Sequence, residues 1–230
     1  MKPYLSLRNS LASTLLCLLA FAAGDASAAS LTVNGWTLGE SVNVVSAGET
    51  GWVNTAQLNL TTGGTSGFSY CVDLAQSIGP GTSTGWELMS PTLSDSVIRA
   101  AWLVDTFQPE IATNTLPPTV TKQTAIAALQ VAVWEVMADA PGNYDLFSGA
   151  FSIAAGGASA GVLSLSGDYL NQLGAADLSN YSTSAIWAVN RNKQDQIFFG
   201  QVNPIPEPGT VALYAFGAAI AAFAVRRKAA

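Results

Sequence analysis

Two charge-free apolar segments, one near each end of the chain, limit the part of it that can fold as a water-soluble domain. The first, 11–24, follows a short basic stretch with Lys2 and Arg8 and precedes the small residues 26–28. A basic start, a short apolar run and a small-residue cleavage site are the parts of a secretory signal peptide. The run is also too short for a membrane-spanning helix. We therefore expect residues 1–28 to be removed after Ala28 during export.

The second apolar segment, 210–225, lies between a Pro-Glu-Pro motif and three cations. These flanking residues are Pro206, Glu207, Pro208, Arg226, Arg227 and Lys228. As a helix the segment would cover about 24 Å, slightly less than the ~30 Å core of a bilayer. The positive-inside rule places the cations in the cytoplasm and the rest of the chain outside. The residues alone thus predict a C-terminal transmembrane helix over 210–225, as in an ordinary tail anchor.

The order of these parts resembles the PEP-CTERM sorting domain of Gram-negative bacteria. In that family an exosortase removes the tail during delivery to the surface, often in bacteria that make exopolysaccharide. The resemblance covers 204–230 and concerns delivery rather than activity. It implies an exosortase as processing partner and a transient membrane anchor. It also implies a final location at the cell surface or in the extracellular matrix of a Gram-negative bacterium.

The part between these ends, 29–203, is long enough for one domain with a hydrophobic core. Between residues 30 and 203 it contains 13 acidic side chains and only 4 basic ones. So few cations do not form a surface that follows a phosphate backbone, and we expect no nucleic acid partner. The chain contains no histidine. This excludes Ser–His and Cys–His catalysis and most zinc sites, and we expect neither a metal nor another cofactor.

The residue pattern of this domain predicts strands, then helices, then strands. Short runs rich in Val, Thr, Leu and aromatic residues are the predicted strands: 31–36, 41–46, 54–61, 67–74, 184–189 and 194–202. The last two are joined by the polar turn 190–193 and are predicted to form a hairpin. Apolar residues at helical spacing give the predicted helices: 94–107, 122–138 and 158–173. The segment 79–85, rich in Gly, Ser and Thr, is predicted to be a loop. This order indicates an α+β fold, a β-sandwich or partial barrel with an inserted helical subdomain.

Gln130 is a polar residue on the most apolar face of the second predicted helix. The apolar residues of that face are Ile126, Leu129, Val133, Trp134 and Met137. A buried amide costs about 1–3 kcal/mol unless its hydrogen bonds are satisfied. Gln130 is therefore either bonded to a buried backbone group or used in chemistry.

Cys71 is the one cysteine expected in the exported protein, because Cys17 leaves with the signal peptide. A lone thiol cannot form an internal disulfide in an oxidising compartment. Strand alternation places its side chain with Ser69 and Asp73, on the face opposite to Tyr70. Free cysteines are commonly buried as small apolar residues, so Cys71 is either inert or has a chemical role.

Taken together, the two residues lie in motifs that resemble a known family. Tyr70-Cys71-Val72-Asp73 and Gln130-Val131-Ala132-Val133-Trp134 are similar to the motifs of the Cys–Gln thioester-forming domain of bacterial surface adhesins. That family shows an aromatic–Cys–aliphatic–acid strand and a Gln–x–Ala–aliphatic–Trp helix. The resemblance spans about 31–202. Gln123 copies part of the helix motif, but Ala127 stands where the Trp should be, so we select Gln130.

The resemblance implies a thioester between the sulfur of Cys71 and the side-chain carbonyl of Gln130, formed with loss of ammonia. Tyr70 and Trp134 would shield it from water. Asp73 would orient the pocket or accept a proton, or would simply be a solvated strand carboxylate. An amine on an unidentified surface or matrix partner would take the acyl group and free the thiol. Each molecule reacts once, so the implied function is covalent capture by an adhesin or matrix-linking protein, not enzymatic turnover.

Two alternatives stay open at the level of the sequence. The first is a non-covalent structural or carbohydrate-binding β-domain of an exopolysaccharide matrix, in which Cys71 and Gln130 are only core residues. The second is a cysteine hydrolase, which would need an unusual base such as Asp73 because the chain lacks histidine. The intact mass of the mature protein separates the thioester from the first alternative.

Overall fold

The computed structural model describes residues 29–142 and 144–200, which form a sheet-rich mixed fold of seven antiparallel strands and three α-helices. The strands are β1 (Ala29–Ser46), β2 (Glu49–Thr62), β3 (Thr65–Cys71), β4 (Gly81–Met89), β5 (Phe151–Ile153), β6 (Ile186–Val189) and β7 (Gln196–Gly200). The helices are α1 (Asp95–Thr113), α2 (Lys122–Ala138) and α3 (Ala160–Ala175), and the 3-10 turn Pro91–Leu93 precedes α1. The predicted mixture of helices and strands is confirmed.

Six of the strands close into a hydrogen-bonded ring. The sheet order is β2-β3-β7-β6-β4-β1-β5, and β1 also pairs with β2. The ring closes because β1 is long enough to pair with β4 near its start and with β2 along most of its length. The far end of β1 pairs with the short strand β5. This hydrogen bonding is that of a barrel rather than of two stacked sheets.

The prediction of two separate strands at 31–36 and 41–46 is wrong, because β1 runs through both segments. The pairing register of β1 with β2 shifts between Leu38 and Ser41, on either side of Gly39, but the strand continues. A Cβ on this glycine would lie 2.9 Å from the backbone nitrogen of Ala127 and would also collide with Thr55. The glycine therefore permits close approach of α2 to the strand, and does not mark a turn.

Other boundaries also differ from the sequence prediction. The segment 79–85 was predicted to be a loop, but β4 begins within it, at Gly81, and pairs with β1 and β6. The third strand ends at Cys71 and not at residue 74. Helix α1 extends six residues beyond the predicted end and passes through Pro109 before it ends at a left-handed Asn114. Strand pairing and burial, which local sequence does not encode, decide these boundaries.

The ring separates two hydrophobic cores. Alternate residues of its strands meet in a smaller group, which we call the barrel core: Leu31, Val33, Leu58, Leu60, Cys71, Trp86, Ala188 and Phe198. Residues from the opposite face, such as Tyr70, Val72 and Ile197, pack with the three helices in a larger core. Because adjacent residues of a strand point to opposite faces, Cys71 and Tyr70 contribute to different cores.

Helix α2 is buried on all sides. Every residue from Ala125 to Val136 is buried, so the helix has no solvent face along this stretch. The sequence predicted a single apolar stripe, whereas the observed environment is that of a central helix. It begins where the Thr121 side chain accepts a hydrogen bond from the Thr124 backbone N–H. Two of these buried residues, Gln130 and Glu135, carry polar side chains that are shielded from solvent.

Glu135 places a carboxyl group in this helical layer with no exposed surface. Burial, and then the charge of Asp139, raise the pKa of the Glu135 side chain to about 7, while the backbone N–H of Asp145 opposes this rise. In the unfolded chain the same group has its ordinary pKa of 4.5. Between these two values the folded state holds a proton that the unfolded state has released.

We expect the unfolding free energy to fall as the pH rises from 4.5 through about 7, because ionisation then favours the unfolded chain. Glu135→Gln removes this titration. The variant should therefore gain stability relative to wild type above the folded pKa and show no such gain below the unfolded pKa. Urea unfolding over a pH series measures the difference, with exposed Glu49→Gln as control. A Glu135→Gln difference that is constant with pH would contradict this origin.

The terminal predictions lie outside the described residues. This applies to the signal peptide 1–28, the helix 210–225 and the sorting residues Pro206, Glu207, Pro208, Arg226 and Arg227. In the part of the chain that the structure describes, no helix has the length and apolar character needed to cross a membrane.

Candidate functional site

Cys71 and Gln130 are in direct contact, although 59 residues separate them in the chain. Gln130 lies in the middle of α2, and Cys71 is the last residue of β3. The backbone N–H of Cys71 donates to Oε1 of Gln130 at 3.1 Å, and Nε2 of Gln130 donates to the Cys71 carbonyl at 2.7 Å. The glutamine amide therefore pairs with the end of β3 as a neighbouring strand would, and both of its polar atoms are held.

The Cys71 side chain belongs to the barrel core and is 9% exposed. Its Sγ accepts a hydrogen bond from Nε2 of Gln196 at 3.4 Å. Burial raises the pKa of the thiol to about 12; the Gln196 bond lowers it, and the charge of Asp73 raises it further. The site thus favours an uncharged sulfur, which is the state of both a thiol and a thioester.

A pocket of about 300 Å³ contains both residues. We call it the Cys–Gln pocket; besides Cys71 and Gln130 it is lined by Trp36, Leu38, Val53, Asn54, Ala56, Leu58, Leu74, Gln76, Ile78, Trp134 and Gln194. None of these side chains is charged. Trp36 and Leu38 are 47% and 52% exposed and line it from β1. The pocket therefore offers an uncharged, partly open approach to the two residues, with mostly apolar walls.

Trp134 lines this pocket one helical turn after Gln130. It is buried, and its ring lies 6.1 Å from that of Phe151 on β5. The sequence predicted Trp134 beside Cys71 and Gln130, and all three residues line the same pocket. Its indole is therefore in a position to exclude water from the pocket.

Tyr70 does not line the pocket, although it is adjacent to Cys71 in the chain. Its side chain lies on the other face of β3, where its hydroxyl donates to Oε1 of Gln108 and accepts from Nε2 of Gln57. Burial raises the pKa of this hydroxyl above its ordinary value. The expectation that Tyr70 shields the sulfur is wrong in this geometry, because successive strand residues face opposite sides.

Asp73 also lies outside the pocket, in the turn that follows β3. Its Oδ1 accepts from the backbone N–H groups of Ala75 and Gln76, and its Oδ2 accepts from that of Asp195. The carboxylate therefore connects the turn to the segment before β7. Since Gln76 and Gln194 line the pocket, Asp73 has the position of a residue that orients the rim rather than one that exchanges protons with the sulfur.

Two glutamines need to be distinguished from Gln130. Gln123, the other candidate from the sequence, is exposed near the start of α2 and does not line the pocket. Gln196 was not predicted as a site residue, although its amide reaches the sulfur. Its position opposite Cys71 depends on the pairing of β3 with β7. The predicted hairpin of 184–189 and 194–202 is confirmed as the pairing of β6 with β7, but it gave no signal for the pairing of β7 with β3.

No family model, no curated protein and no solved structure matches this chain.

Proposed function

We propose that this chain is an exported surface protein, an adhesin or matrix-linking protein, that captures amines through a thioester between Cys71 and Gln130. The observation that carries the proposal is the pair of hydrogen bonds between the Gln130 amide and the Cys71 backbone. They hold a carboxamide beside the one cysteine of the predicted mature chain. No charged side chain lines the surrounding pocket, so nothing charged competes for either group.

Only the two side chains react to form the proposed bond. The thiol of Cys71 adds to the amide carbon of Gln130, the thiol proton passes to the amide nitrogen, and the carbon–nitrogen bond breaks to release ammonia. During addition, negative charge develops on Oε1 of Gln130. The backbone N–H of Cys71 already donates to that oxygen at 3.1 Å. A preformed donor at the developing oxyanion is the contact that lowers the barrier of such acyl transfers.

The surroundings of the sulfur also match a long-lived acyl–thiol bond. Apolar walls and buried Trp134 limit the access of water, which slows hydrolysis. When an amine attacks the carbonyl carbon, an amide forms and Cys71 regains its proton. Because burial raises the pKa of the free thiol to about 12, the thiol is protonated at neutral pH and reverses the reaction poorly. Capture is therefore a single event for each molecule.

A non-covalent role is the second candidate, and two observations favour it. The same hydrogen bonds that position Gln130 also give each polar atom of its buried amide a partner, as a purely structural glutamine requires. In addition, half-exposed Trp36 lines the same pocket as the amides of Asn54 and Gln76. An aromatic face with neighbouring amides is a suitable platform for a sugar of an exopolysaccharide.

Intact mass spectrometry of the mature ectodomain, purified without thiols or amines, tests the thioester. We expect a mass lower than the sequence mass by one ammonia. The full sequence mass, together with a free thiol at Cys71, would contradict the thioester and leave the non-covalent candidate.

Delivery to the surface is proposed from the sequence of the tail. We expect replacement of both Pro206 and Pro208 by alanine to leave unprocessed protein in the inner membrane, because an exosortase would no longer recognise the motif. Fractionation and immunoblotting of cells that produce the full chain measure the result. Alanine at Thr210, just after the motif, serves as a control and should leave processing unchanged. Normal loss of the tail by the double variant would show that this motif is not the sorting signal.

A further inference from the structure

Gln196 is the residue directly opposite Cys71 in the pairing of β3 with β7. It is completely buried, and its Nε2 donates to Sγ of Cys71 at 3.4 Å. Such a distance is within the range of hydrogen bonds to sulfur, whose larger radius lengthens them. A carboxamide donor therefore touches the atom that would form and break the thioester.

The Gln196 amide is held in one orientation by two further contacts. Its Oε1 accepts from Oγ of Ser69, itself completely buried, at 2.9 Å. Its Nε2 also donates to the carbonyl of Gln194 at 3.1 Å. Rotation of the amide by half a turn would place its oxygen against both the sulfur and a carbonyl oxygen, and its NH₂ group against a hydroxyl. The network thus specifies that the sulfur faces a donor.

The other buried glutamines show that this contact is not a general property of the core. Gln57 and Gln108 bond to each other and to the hydroxyl of Tyr70, on the opposite face of the sheet. Gln130 bonds to the backbone of Cys71 and not to its sulfur. Among the described glutamines, only Gln196 donates to Sγ. The hydrogen bond from Gln196 lowers the pKa of the Cys71 thiol and so opposes the rise caused by burial and by the charge of Asp73.

We propose that Gln196 is a catalytic residue of the Cys71–Gln130 reaction, where its Nε2–H stabilises negative charge on Sγ. This role rests on the proposed thioester. In the forward step, charge builds on the sulfur as its proton leaves and the bond to the Gln130 carbonyl carbon forms. In amine capture, charge returns to the sulfur as that bond breaks, until a proton from the attacking amine neutralises it. The donor is in place for both steps without any movement.

The test compares Gln196→Met with Gln108→Met, a matched loss of a buried amide on the far side of the sheet. Pseudo-first-order labelling by methylamine measures the rate of capture. Because hydrogen bonds to charged groups contribute about 1.5–3 kcal/mol, we expect Gln196→Met to slow labelling by about tenfold or more. Alkylation of the freed thiol at a fixed pH should also be slower in that variant, because less of the sulfur is ionised. Gln108→Met should match wild type in both.

Gln196→Leu is a second variant that removes the donor without adding a charge at this buried position, and urea unfolding checks that each variant is folded. It should also slow both labelling and alkylation. Wild-type protein at its full sequence mass would overturn the proposed thioester, and this role with it. If wild type has lost one ammonia but the two Gln196 variants label at its rate, only the role of Gln196 is overturned. Equal slowing in Gln108→Met would also overturn it, since the effect would then be general loosening of the core.

Discussion

Methylamine is expected to add covalently to the purified wild-type ectodomain and, in the same reaction, to release a titratable thiol at Cys71. The amine attacks the acyl carbon of Gln130, so the product is an N-methyl amide on that side chain and a free sulfur. Only an acyl–thiol bond couples the appearance of a thiol to the addition of an amine. Mass spectrometry gives the added amine, a thiol reagent gives the sulfur, and the two amounts should be equal.

Three variants locate this reaction. Cys71→Ala and Gln130→Ala should each abolish both the mass deficit before treatment and the labelling after it, because each removes one half of the bond. Gln123→Ala should label fully, since this glutamine is exposed and does not line the Cys–Gln pocket. Labelling that persists in Cys71→Ala would mean that methylamine reacts elsewhere, and loss of labelling in Gln123→Ala would show that the wrong glutamine was chosen.

Trp134→Ala is expected to have the largest effect on both stability and the lifetime of the thioester. Removal of a large buried aromatic side chain typically costs about 3–5 kcal/mol, part of it from the cavity that is left. Here that cavity joins the Cys–Gln pocket and admits water to the acyl carbon. Urea unfolding measures the first effect. The second is measured by the rate at which the mass of the stored protein rises by one water.

A tryptophan elsewhere provides the control for this variant. Trp52 on β2 is 65% exposed and does not line the Cys–Gln pocket, so Trp52→Ala should change neither measurement appreciably. Trp134→Phe keeps an aromatic ring at the site and should give intermediate values for both. If Trp134→Ala lowered stability but left the hydrolysis rate unchanged, Trp134 would be a packing residue and not a barrier to water.

Local sequence patterns identified most of the strands, all three helices and the hairpin of β6 and β7, but not the other strand pairings. The segment 79–85 is rich in glycine and hydroxyl residues, which locally favour turns, yet β1 and β6 supply the partners that make part of it a strand. The segment 37–40 was similarly predicted to lie between two strands, whereas Gly39 within it lies in β1 and, lacking a side chain, admits α2. Ring closure also depends on contacts between β1 and β4 that are distant in sequence.

The site shows the same division between local and long-range information. Motifs around Cys71 and Gln130 were sufficient to choose the two residues that the structure brings into contact. The role of Tyr70 was misjudged because proximity in the chain was taken as proximity to the sulfur, although adjacent strand residues face opposite sides. Gln196 could not be found at all without the register of β3 against β7.

The contact between β3 and α2 joins two points that lie 59 residues apart in the chain. A covalent bond there would close a large loop and restrict the unfolded chain, as a disulfide does. In the chain-entropy treatment, a loop of this length corresponds to about 4 kcal/mol of stabilisation. Capture of an amine would open the loop, and that stabilisation would be lost. The protein would therefore be most resistant to heat and proteases before it meets its partner, and its own fold would weaken when attachment is complete.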